Sequence, residues 1–481
     1  NRRVLFATAM EMLNHLNASR IDHSLGRKLW VRESDQGFSQ ISRGPRNPAV
    51  PIMSSTRVPG ALPHLRRHLP ALRWNALSDA GISWFVMLPS RRSFLCAATA
   101  PPAVSFGSQD RISSVQAWSD ALLPRKPRPA PKFASDDDPA RWRWFGPFSL
   151  LGGAILVRIR TASGLVGYGL GGGGGAAAYI VENHLRELLM GVNPANVGML
   201  WEQMHSSTSF YGRRGLAIMA LSGIDLALWD LAGKAAGKPV CELLGGTVKR
   251  RVPVYYTGAN LAWAVQMGFQ AFKLPINEGP QEGKEGMLRI AVRVAEARKM
   301  VGPKADLMID CLGRWSVPYT LAMVRRLAEY RLRWIEEPLM PDDVDGYAQL
   351  CRGVRGPRIA LGEHEYTRFG FEELIRRKAV QVMQPDISWS GGLTELRRIA
   401  ALARARSIPL SPHRGGSLYG LHFIAATPGC DLAESFGLGE SGTELMRAMT
   451  PRYEAGFLHL PEKPGFGVDI QDSWLSRLPR Y

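Results

Sequence analysis

The sequence predicts an α/β chain in which an α+β domain precedes a barrel of repeated βα units. Short apolar runs recur about every 25 residues, the length that a strand, a helix and two loops need, and amphipathic segments lie between them. Each run ends in or near a polar residue with useful chemistry, and barrel strands present their carboxyl ends at one mouth. The runs AFK, DLMID, RWIEEP, IALGE, VQVMQPD, IPLSPH and DLAES carry Lys273, Asp310, Glu336, Glu363, Asp386, His413 and Glu434.

Strand-like and helical patterns before the barrel predict the α+β domain. ISSVQAWSDAL and GGAILVRIRTASGLVGYGL alternate as antiparallel strands do, with a turn at Ala162-Ser163-Gly164. AAYIVENHLRELLMG, NVGMLWEQMHSS and GLAIMALSGIDLALWDLAGKAAG have helical periodicity, and Gly237-Lys238-Pro239 ends the last of these helices. Between the first two strands, PRKPRPAPKFASDDDPARW is rich in proline and charge and is predicted to be a mobile loop or lid.

Composition excludes several classes of protein. The 481 residues are 45% hydrophobic and 21% charged, which is typical of globular chains with two domains. No run of 18 apolar residues occurs, so no membrane partner is predicted. The net charge is +18, but half of the excess lies in residues 1–108 and both signs alternate elsewhere, so nucleic acid is not predicted as a partner. The five cysteines lack metal-binding spacing.

Residues 1–108 are predicted to be a disordered upstream segment that is followed, from Met87, by a signal, because residues 1–86 show no sustained period. Met87 is followed closely by Ser90-Arg91-Arg92-Ser93-Phe94-Leu95, which resembles a twin-arginine export signal. We therefore expect Met87 to be the natural start and the protein to be periplasmic or otherwise exported. The alternative is an unstructured basic leader with a chance arginine pair, in which case the location is cytoplasmic.

A glycine motif invites a different interpretation. Gly167, Gly169 and Gly172 match GxGxxG, but the preceding strand is a hairpin arm and the acidic Glu187 lies within a helical pattern. A dinucleotide site needs a buried parallel strand and an acidic residue at the end of a second strand. We therefore predict no NAD site, and five consecutive glycines instead predict a flexible loop.

Three successive runs end in carboxylates that suit a hard divalent cation. Asp310, Glu336 and Glu363 would offer oxygen ligands with room for water and substrate, the pattern of a Mg²⁺ site. A single such carboxylate is more often solvated or caps the next helix. Glu337 would point to the other side of its strand and is predicted to be structural.

His413 and Asp386 end adjacent runs and predict a catalytic pair. A carboxylate beside an imidazole fixes its tautomer and raises its basicity, although such a pair can also be structural. Lys273 could donate to a developing oxyanion, and Glu434 could hydrogen-bond the substrate. Alone, each of these two residues would be unremarkable.

The joint motifs resemble those of the enolase superfamily, in its mandelate racemase branch. They span about residues 145–470: LSGIDLALWDLAGKAAGKPVCELLGG, FKLP, LMIDC, RWIEEPL, LGEHEYTRFGF, MQPDISWSGGLTE, PHRGGSLYGLH, CDLAES and KPGFGV. Within the branch, YTGAN, GEH and PDISWSGGLTE are most similar to the L-rhamnonate dehydratase group. The resemblance implies a capping domain at 109–250, a modified TIM (β/α)7β barrel at 251–440 and a C-terminal segment, 441–481, that returns to the capping domain.

The same resemblance implies a function. Mg²⁺ on the three carboxylates would bind an acid sugar, and His413 with Asp386 would remove the C2 proton and protonate the departing 3-hydroxyl. Lys273 and Glu434 would hold the enediolate oxygens, while His364 and Arg414 would contact the substrate. A homo-oligomer is also implied.

One position distinguishes the reactions of this branch. Two-base racemases carry Lys-x-Lys where this chain has Lys273-Leu274-Pro275, and proline is not a base. A dehydratase is therefore expected, with a racemase or epimerase, an aldarate dehydratase or a catalytically silent binder of acid sugars as alternatives. Arg414 stands where the group usually has glycine, and the N-terminal loop lacks its usual histidine. The exact sugar acid stays open. The extra arginines would suit a more acidic one such as an aldarate, although each of them alone is more often a surface charge.

Overall fold

The computed structural model describes residues 106–107, 110–119, 153–245, 248–437 and 447–476. The predicted export signal and the predicted lid loop lie outside the described residues.

The N-terminal domain is an antiparallel sheet covered by helices, as the patterns predict. The strands pair in the order β1-β2-β3, and β2 and β3 are joined at the predicted turn. The strands are β1 Ile112–Ser119, β2 Ile155–Thr161 and β3 Val166–Gly171. The helices are α1 Gly174–Ile180, which continues through a π-helical turn Val181–Leu185 into α2 Arg186–Leu189, then α3 Val197–Thr208, α4 Leu216–Ala235 and the short α5 Val240–Leu243.

The glycine-rich segment is a packing surface and not a loop, so that prediction was wrong. A Cβ at Gly167 would lie 2.2 Å from the carbonyl oxygen of Ala227, and one at Gly169 would lie 2.0 Å from that of Gly223. These glycines of β3 therefore allow α4 to approach the strand backbone closely. Of the five consecutive glycines, Gly171 ends β3, Gly172 and Gly173 form a two-residue connection, and the last two begin α1.

Helix α4 is the core of this domain. By length and composition it could cross a membrane, but 94% of its apolar window is buried inside the protein. That is the expected environment of a core helix that is apolar on all sides.

Eight segments of the second domain follow one another in parallel pairing, as predicted for a barrel. Pairing runs from β4 through β9, and β10 pairs with β4. The strands are β4 Arg251–Thr257, β5 Ala271–Pro275, β6 Asp306–Asp310, β7 Trp334–Glu336, β8 Arg358–Leu361, β9 Val382–Met383 and β10 Ala433–Ser435. The helices are α6 Leu261–Gln266, α7 Gly283–Val301, α8 Val317–Arg326, α9 Val344–Gly353, α10 Thr367–Arg376, α11 Gly392–Arg404 and α12 Leu418–Ala426.

The run IPLSPH is the one predicted strand that does not form a strand of its own. Only Leu410 makes parallel bridges, to Met383 of β9 and to Cys430 just before β10. Pro409 and Pro412 flank it, and proline has no N–H to donate to a sheet. The segment nevertheless fills the seventh position and delivers His413 to the same mouth as its neighbours.

The barrel interior has its own apolar layer, to which β4 to β9 and the residue just before β10 contribute. Seven buried residues form a cluster separate from the main core: Tyr255, Ala271, Met308, Trp334, Ala360, Val382 and Leu432. Side chains that fill the barrel below the mouth make it a packed core and not a pore.

The C-terminal segment contacts both domains. A hairpin of β11 Arg452–Glu454 and β12 Phe457–His459 pairs antiparallel with β4, and a short helix α13 Asp472–Leu475 follows. The backbone N–H of Phe466 donates to Asp230 of α4, and Arg158 of β2 pairs with Asp472 at 2.8 Å.

Candidate active site

Three carboxylates meet at the carboxyl ends of adjacent strands. Asp310 ends β6 and pairs in register with Glu336, which ends β7, while Glu363 lies two residues beyond β8. One oxygen from each lies within 4.8 Å of the others, so the three could hold a metal ion. Three hard oxygen donors suit Mg²⁺ better than a soft transition metal.

The nearby cations do not balance the negative charge of these carboxylates. Burial and the nearby charge of Glu336 raise the pKa of Asp310 well above its usual range. Burial also raises the pKa of Glu336 to about 7, although Lys273 opposes this effect. A bound divalent cation would relieve the repulsion, so the donor set and the charge both fit one.

Lys273 is a fully buried ammonium in the centre of this group. It lies on β5, donates to Glu336, is 2.7 Å from Glu434 and is 3.9 Å from Asp310. Burial alone would lower its pKa, but Glu336 and Glu434 outweigh burial and hold it well above the usual value. It is therefore a permanent positive charge and not a base.

His413 and Asp386 form a buried pair at the opposite side of the mouth. His413 Nδ1 lies 2.8 Å from Asp386 Oδ2, and Asp386 Oδ1 accepts from the backbone and hydroxyl of Ser388. Burial would raise the pKa of Asp386, but the hydrogen bond and charge of His413, together with Arg414 and Ser388, outweigh burial and lower it, so this carboxylate only accepts. Nδ1 must then carry the proton, which leaves Nε2 as the free acceptor.

The free nitrogen of His413 lies close to two of the carboxylate side chains at the mouth. Nε2 lies 3.8 Å from Glu363 and 4.0 Å from Glu434. Burial lowers the pKa of His413, but Glu363 and Asp386 outweigh burial and raise it above the usual value. A base is thus aimed at the space beside the predicted metal ligands.

Glu434 is fixed by three donors. Lys273 and the hydroxyl of Thr257 donate to Oε1, and the backbone N–H of Arg414 donates to Oε2. Burial would raise the pKa of Glu434, but Lys273 and His413 outweigh burial and lower it to about 2. Glu434 is therefore an ionised acceptor that orients its neighbours.

Glu337 faces the site, contrary to the prediction that it would point away. Its φ of 34° breaks the alternation that a regular strand imposes. Its carboxylate accepts from His364 Nδ1 at 2.7 Å and lies in one cluster with Glu363. His364 outweighs burial and lowers the pKa of Glu337, so this carboxylate anchors the half-exposed His364 ring at the rim.

Arg414 also lies at the rim, next to His413. Its φ of 54° is left-handed, which costs a residue other than glycine about 1 kcal/mol. Its guanidinium stacks 4.6 Å from the centre of the Trp389 ring, and the side chain is 43% exposed.

Sequence reasoning missed Thr257, Gln384 and Trp389. Gln384 donates to Glu336, and Trp389 forms a wall between His364 and His413, with ring centres 5.9 and 5.4 Å away. Neutral side chains give no signal in a search for charged residues at strand ends. Thr257 could have been found, because it ends the run VPVYYT in the same way as Lys273 ends AFK.

A cavity of about 330 Å³ lies at the other end of the barrel, lined by the starts of β6, β7 and β8. None of the predicted site residues lines it. The candidate site is therefore the mouth at the strand carboxyl ends, where barrels carry their chemistry.

Two known domain families match the chain. Residues 152–245 match the N-terminal domain of the mandelate racemase / muconate lactonizing enzyme family, and residues 258–474 match the enolase C-terminal domain-like family. A curated protein of Caldivirga maquilingensis, provisionally named L-rhamnonate dehydratase, is 40% identical over 332 residues, 68% of this chain and 83% of that protein.

Solved structures resemble the chain over most of its length. The L-rhamnonate dehydratase of Gibberella zeae is 32% identical with a TM-score of 0.67, and its Mg complex gives 0.68; the match covers 78% of this chain and 97% of that one. A racemase of Streptomyces coelicolor with bound magnesium is 29% identical with a TM-score of 0.64, over 76% and 99% of the two chains.

Proposed function

We propose that this chain, which belongs to the mandelate racemase / muconate lactonizing enzyme family of the enolase superfamily, is a Mg²⁺-dependent dehydratase of an acid sugar. The relatives named L-rhamnonate dehydratase make a sugar acid of that kind the expected substrate. The observation that carries the proposal is the buried His413–Asp386 pair, whose free nitrogen lies 3.8 Å from Glu363, one of the three carboxylates. The product would be a 2-keto-3-deoxy sugar acid.

Asp310, Glu336 and Glu363 would hold the Mg²⁺. Their oxygens lie within 4.8 Å of one another, and burial and mutual repulsion raise the pKa of Asp310. Mg²⁺ held there would supply positive charge against the negative charge that builds up on the substrate carboxylate when the C2 proton leaves.

His413 moves the proton in both halves of the reaction. Nε2 accepts the proton from C2, and Asp386 stabilises the imidazolium that results. The imidazolium then protonates the 3-hydroxyl, the C3–O bond breaks and water leaves. The remaining enol tautomerises to the 2-keto acid, so that the elimination is balanced without any other reactant.

Lys273 and Glu434 have different tasks in this proposal. Lys273 uses two of its N–H groups on Glu336 and Glu434, which leaves a third for an oxygen of the enediolate. The ionised Glu434 has no proton to give to such an oxygen. It instead holds the ammonium of Lys273 and the backbone of Arg414 in place.

The strand β5 favours elimination over racemisation. Inversion at C2 needs a base on each face of the substrate. After Lys273, β5 continues with Leu274, which is buried in the core, and Pro275, which has no titratable group. A single base that abstracts and returns a proton on one side suits loss of the 3-hydroxyl.

The test is formation of 2-keto acid from a library of aldonates and aldarates, with Mg²⁺ or with EDTA. We expect turnover of at least one acid only with Mg²⁺, and a fall of at least about 100-fold in His413→Asn. The matched control His459→Asn, on β12 away from the mouth, should keep its activity. Exchange of the C2 proton into deuterated water without keto acid would contradict a dehydratase and favour a racemase.

A further inference from the structure

Arg414 lies at the mouth, and the proposed reaction gives its side chain no role. Arg414 directly follows His413 in the sequence. Its backbone N–H donates to Glu434 at 2.9 Å, so the site itself fixes the position of its Cα atom. The backbone is left-handed, a conformation that glycine adopts without strain and arginine does not. Glycine would adopt this backbone conformation without strain. The presence of arginine here therefore needs an explanation from its side chain.

Its side chain is held in one direction. The guanidinium lies 4.6 Å from the centre of the Trp389 ring, and Trp389 is buried beside His413. Stacking on a fixed aromatic ring orients the planar guanidinium and leaves its edge free.

Two other cations near the mouth already have close carboxylate partners. Lys273 lies between Glu336 and Glu434, and Arg214 contacts Asp342 at 3.2 Å and Glu365 at 3.5 Å. Within the described residues, the carboxylate nearest to the Arg414 guanidinium is that of Asp386, 3.9 Å from Nε, and its oxygens already accept from His413 and Ser388.

The terminal nitrogens of Arg414 make no hydrogen bond within the part of the chain that the structure describes. Two parallel N–H groups with fixed geometry match a carboxylate in a bidentate arrangement. The first carboxylate of the substrate would be taken by the metal site. A second one would therefore be needed to use this guanidinium.

We propose that Arg414 binds a second carboxylate at the far end of the substrate, so that this enzyme prefers aldarates to the corresponding aldonates. This inference rests on the proposed dehydratase function and narrows its substrate class. It also sets the chain apart from relatives named for L-rhamnonate, which has one carboxylate.

The experiment compares kcat/KM for a six-carbon aldonate, the aldarate of the same stereochemistry and the aldonate with a terminal phosphate. The proteins are the wild type, Arg414→Lys, Arg414→Gly and Arg331→Gly. Arg331 is a matched control, since it is an arginine with a φ of 47° on the loop that leads into β7, at the opposite end of the barrel. Both glycine variants relieve strain in the backbone and should fold.

We expect the wild type to prefer the aldarate by about 10-fold or more, and Arg414→Gly to lower kcat/KM for the aldarate by about 10- to 100-fold. The loss for the aldonate should be much smaller, and Arg414→Lys should keep part of the preference. Arg331→Gly should match the wild type. A preference for the phosphorylated acid over the aldarate would show that the second anion is a phosphate and overturn the proposal.

Equal losses on aldonate and aldarate would also overturn it, because Arg414 would then act only by positioning His413 and Trp389. Turnover of aldonates alone would contradict this inference and leave the dehydratase intact. If no acid is turned over, the proposed function fails, and calorimetric binding of both acids with Mg²⁺ decides the inference. Tighter aldarate binding that Arg414→Gly abolishes would support it, and equal binding would refute it.

Discussion

Lys273→Met should be one of the most destabilising single changes at the mouth. The substitution keeps an apolar stem of the same length and removes the ammonium that Glu336 and Glu434 share. Removing one partner of a buried ion pair typically costs about 3–5 kcal/mol, because the other charge stays buried and unpaired. Two carboxylates would be left here, so we expect the upper half of that range at pH 8 in EDTA.

The deficit should shrink on acidification. Without the ammonium, the folded-state pKa values of Glu336 and Glu434 would lie above their unfolded values. Stability linked to a raised carboxyl pKa is present at low pH and lost as pH rises through the folded pKa. The pKa of Glu336 is already about 7 with Lys273 present. The loss should therefore be larger at pH 8 than at pH 5.5.

Urea unfolding followed by tryptophan fluorescence at the two pH values measures this difference. Lys249→Met is the matched control, because Lys249 is a partly exposed lysine that pairs with the exposed Asp431 and should cost less than about 1 kcal/mol. A loss below about 1 kcal/mol for Lys273→Met at pH 8, or a loss equal at both pH values, would refute the electrostatic account of the mouth.

Three further changes test other parts of the structure. Asp386→Asn should lower kcat by at least about 100-fold with little change in KM, since a neutral amide no longer holds His413 in the required tautomer. Asp342→Asn, at an exposed position, is the control. A loss of kcat below tenfold in Asp386→Asn would contradict a catalytic role for the His413–Asp386 pair. Gly172→Ala should cost about 1–3 kcal/mol by overpacking, because its Cβ would lie 2.3 Å from Trp389 Nε1. Gly198→Ala, with open space around it, should not lower the melting temperature, and equal melting temperatures for the two variants would contradict the close contact. Burial lowers the pKa of His422 to about 3. Below about pH 6.5 this histidine is therefore protonated in the unfolded chain and neutral in the folded protein, so the free energy of unfolding falls as pH drops. Between pH 6.5 and 5, His422→Asn should lose about 2 kcal/mol less unfolding free energy than the wild type, as measured by urea unfolding. The same pH dependence of the unfolding free energy in both proteins would show that His422 is not responsible.

The order of the fold and the family resemblance were predictable because both depend on patterns that a single chain displays. The βα period, the helical segments before it and the joint motifs were confirmed, and parallel strands bring Asp310 and Glu336 side by side. Spacing alone predicts such neighbours, because every strand of a barrel ends at the same mouth.

The predictions that failed depend on local backbone geometry and on packing. Glu337 turns into the site through a positive φ, which no alternation pattern reveals. The glycine run ends β3 and begins α1 with a two-residue connection between them, and its close contacts with α4 arise only when these elements meet. Trp389 contributes through its ring faces, so a search for charged ligands passes over it.

The central claim is that His413 removes the C2 proton of an acid sugar beside a metal held by Asp310, Glu336 and Glu363. Proton NMR in deuterated water tests it most directly, by following the C2–H signal and the keto-acid product together in the wild type and His413→Asn. We predict that the C2–H signal disappears no more slowly than product forms, only with Mg²⁺, and that both processes stop in the variant. Loss of C2–H at the wild-type rate in His413→Asn would contradict the account.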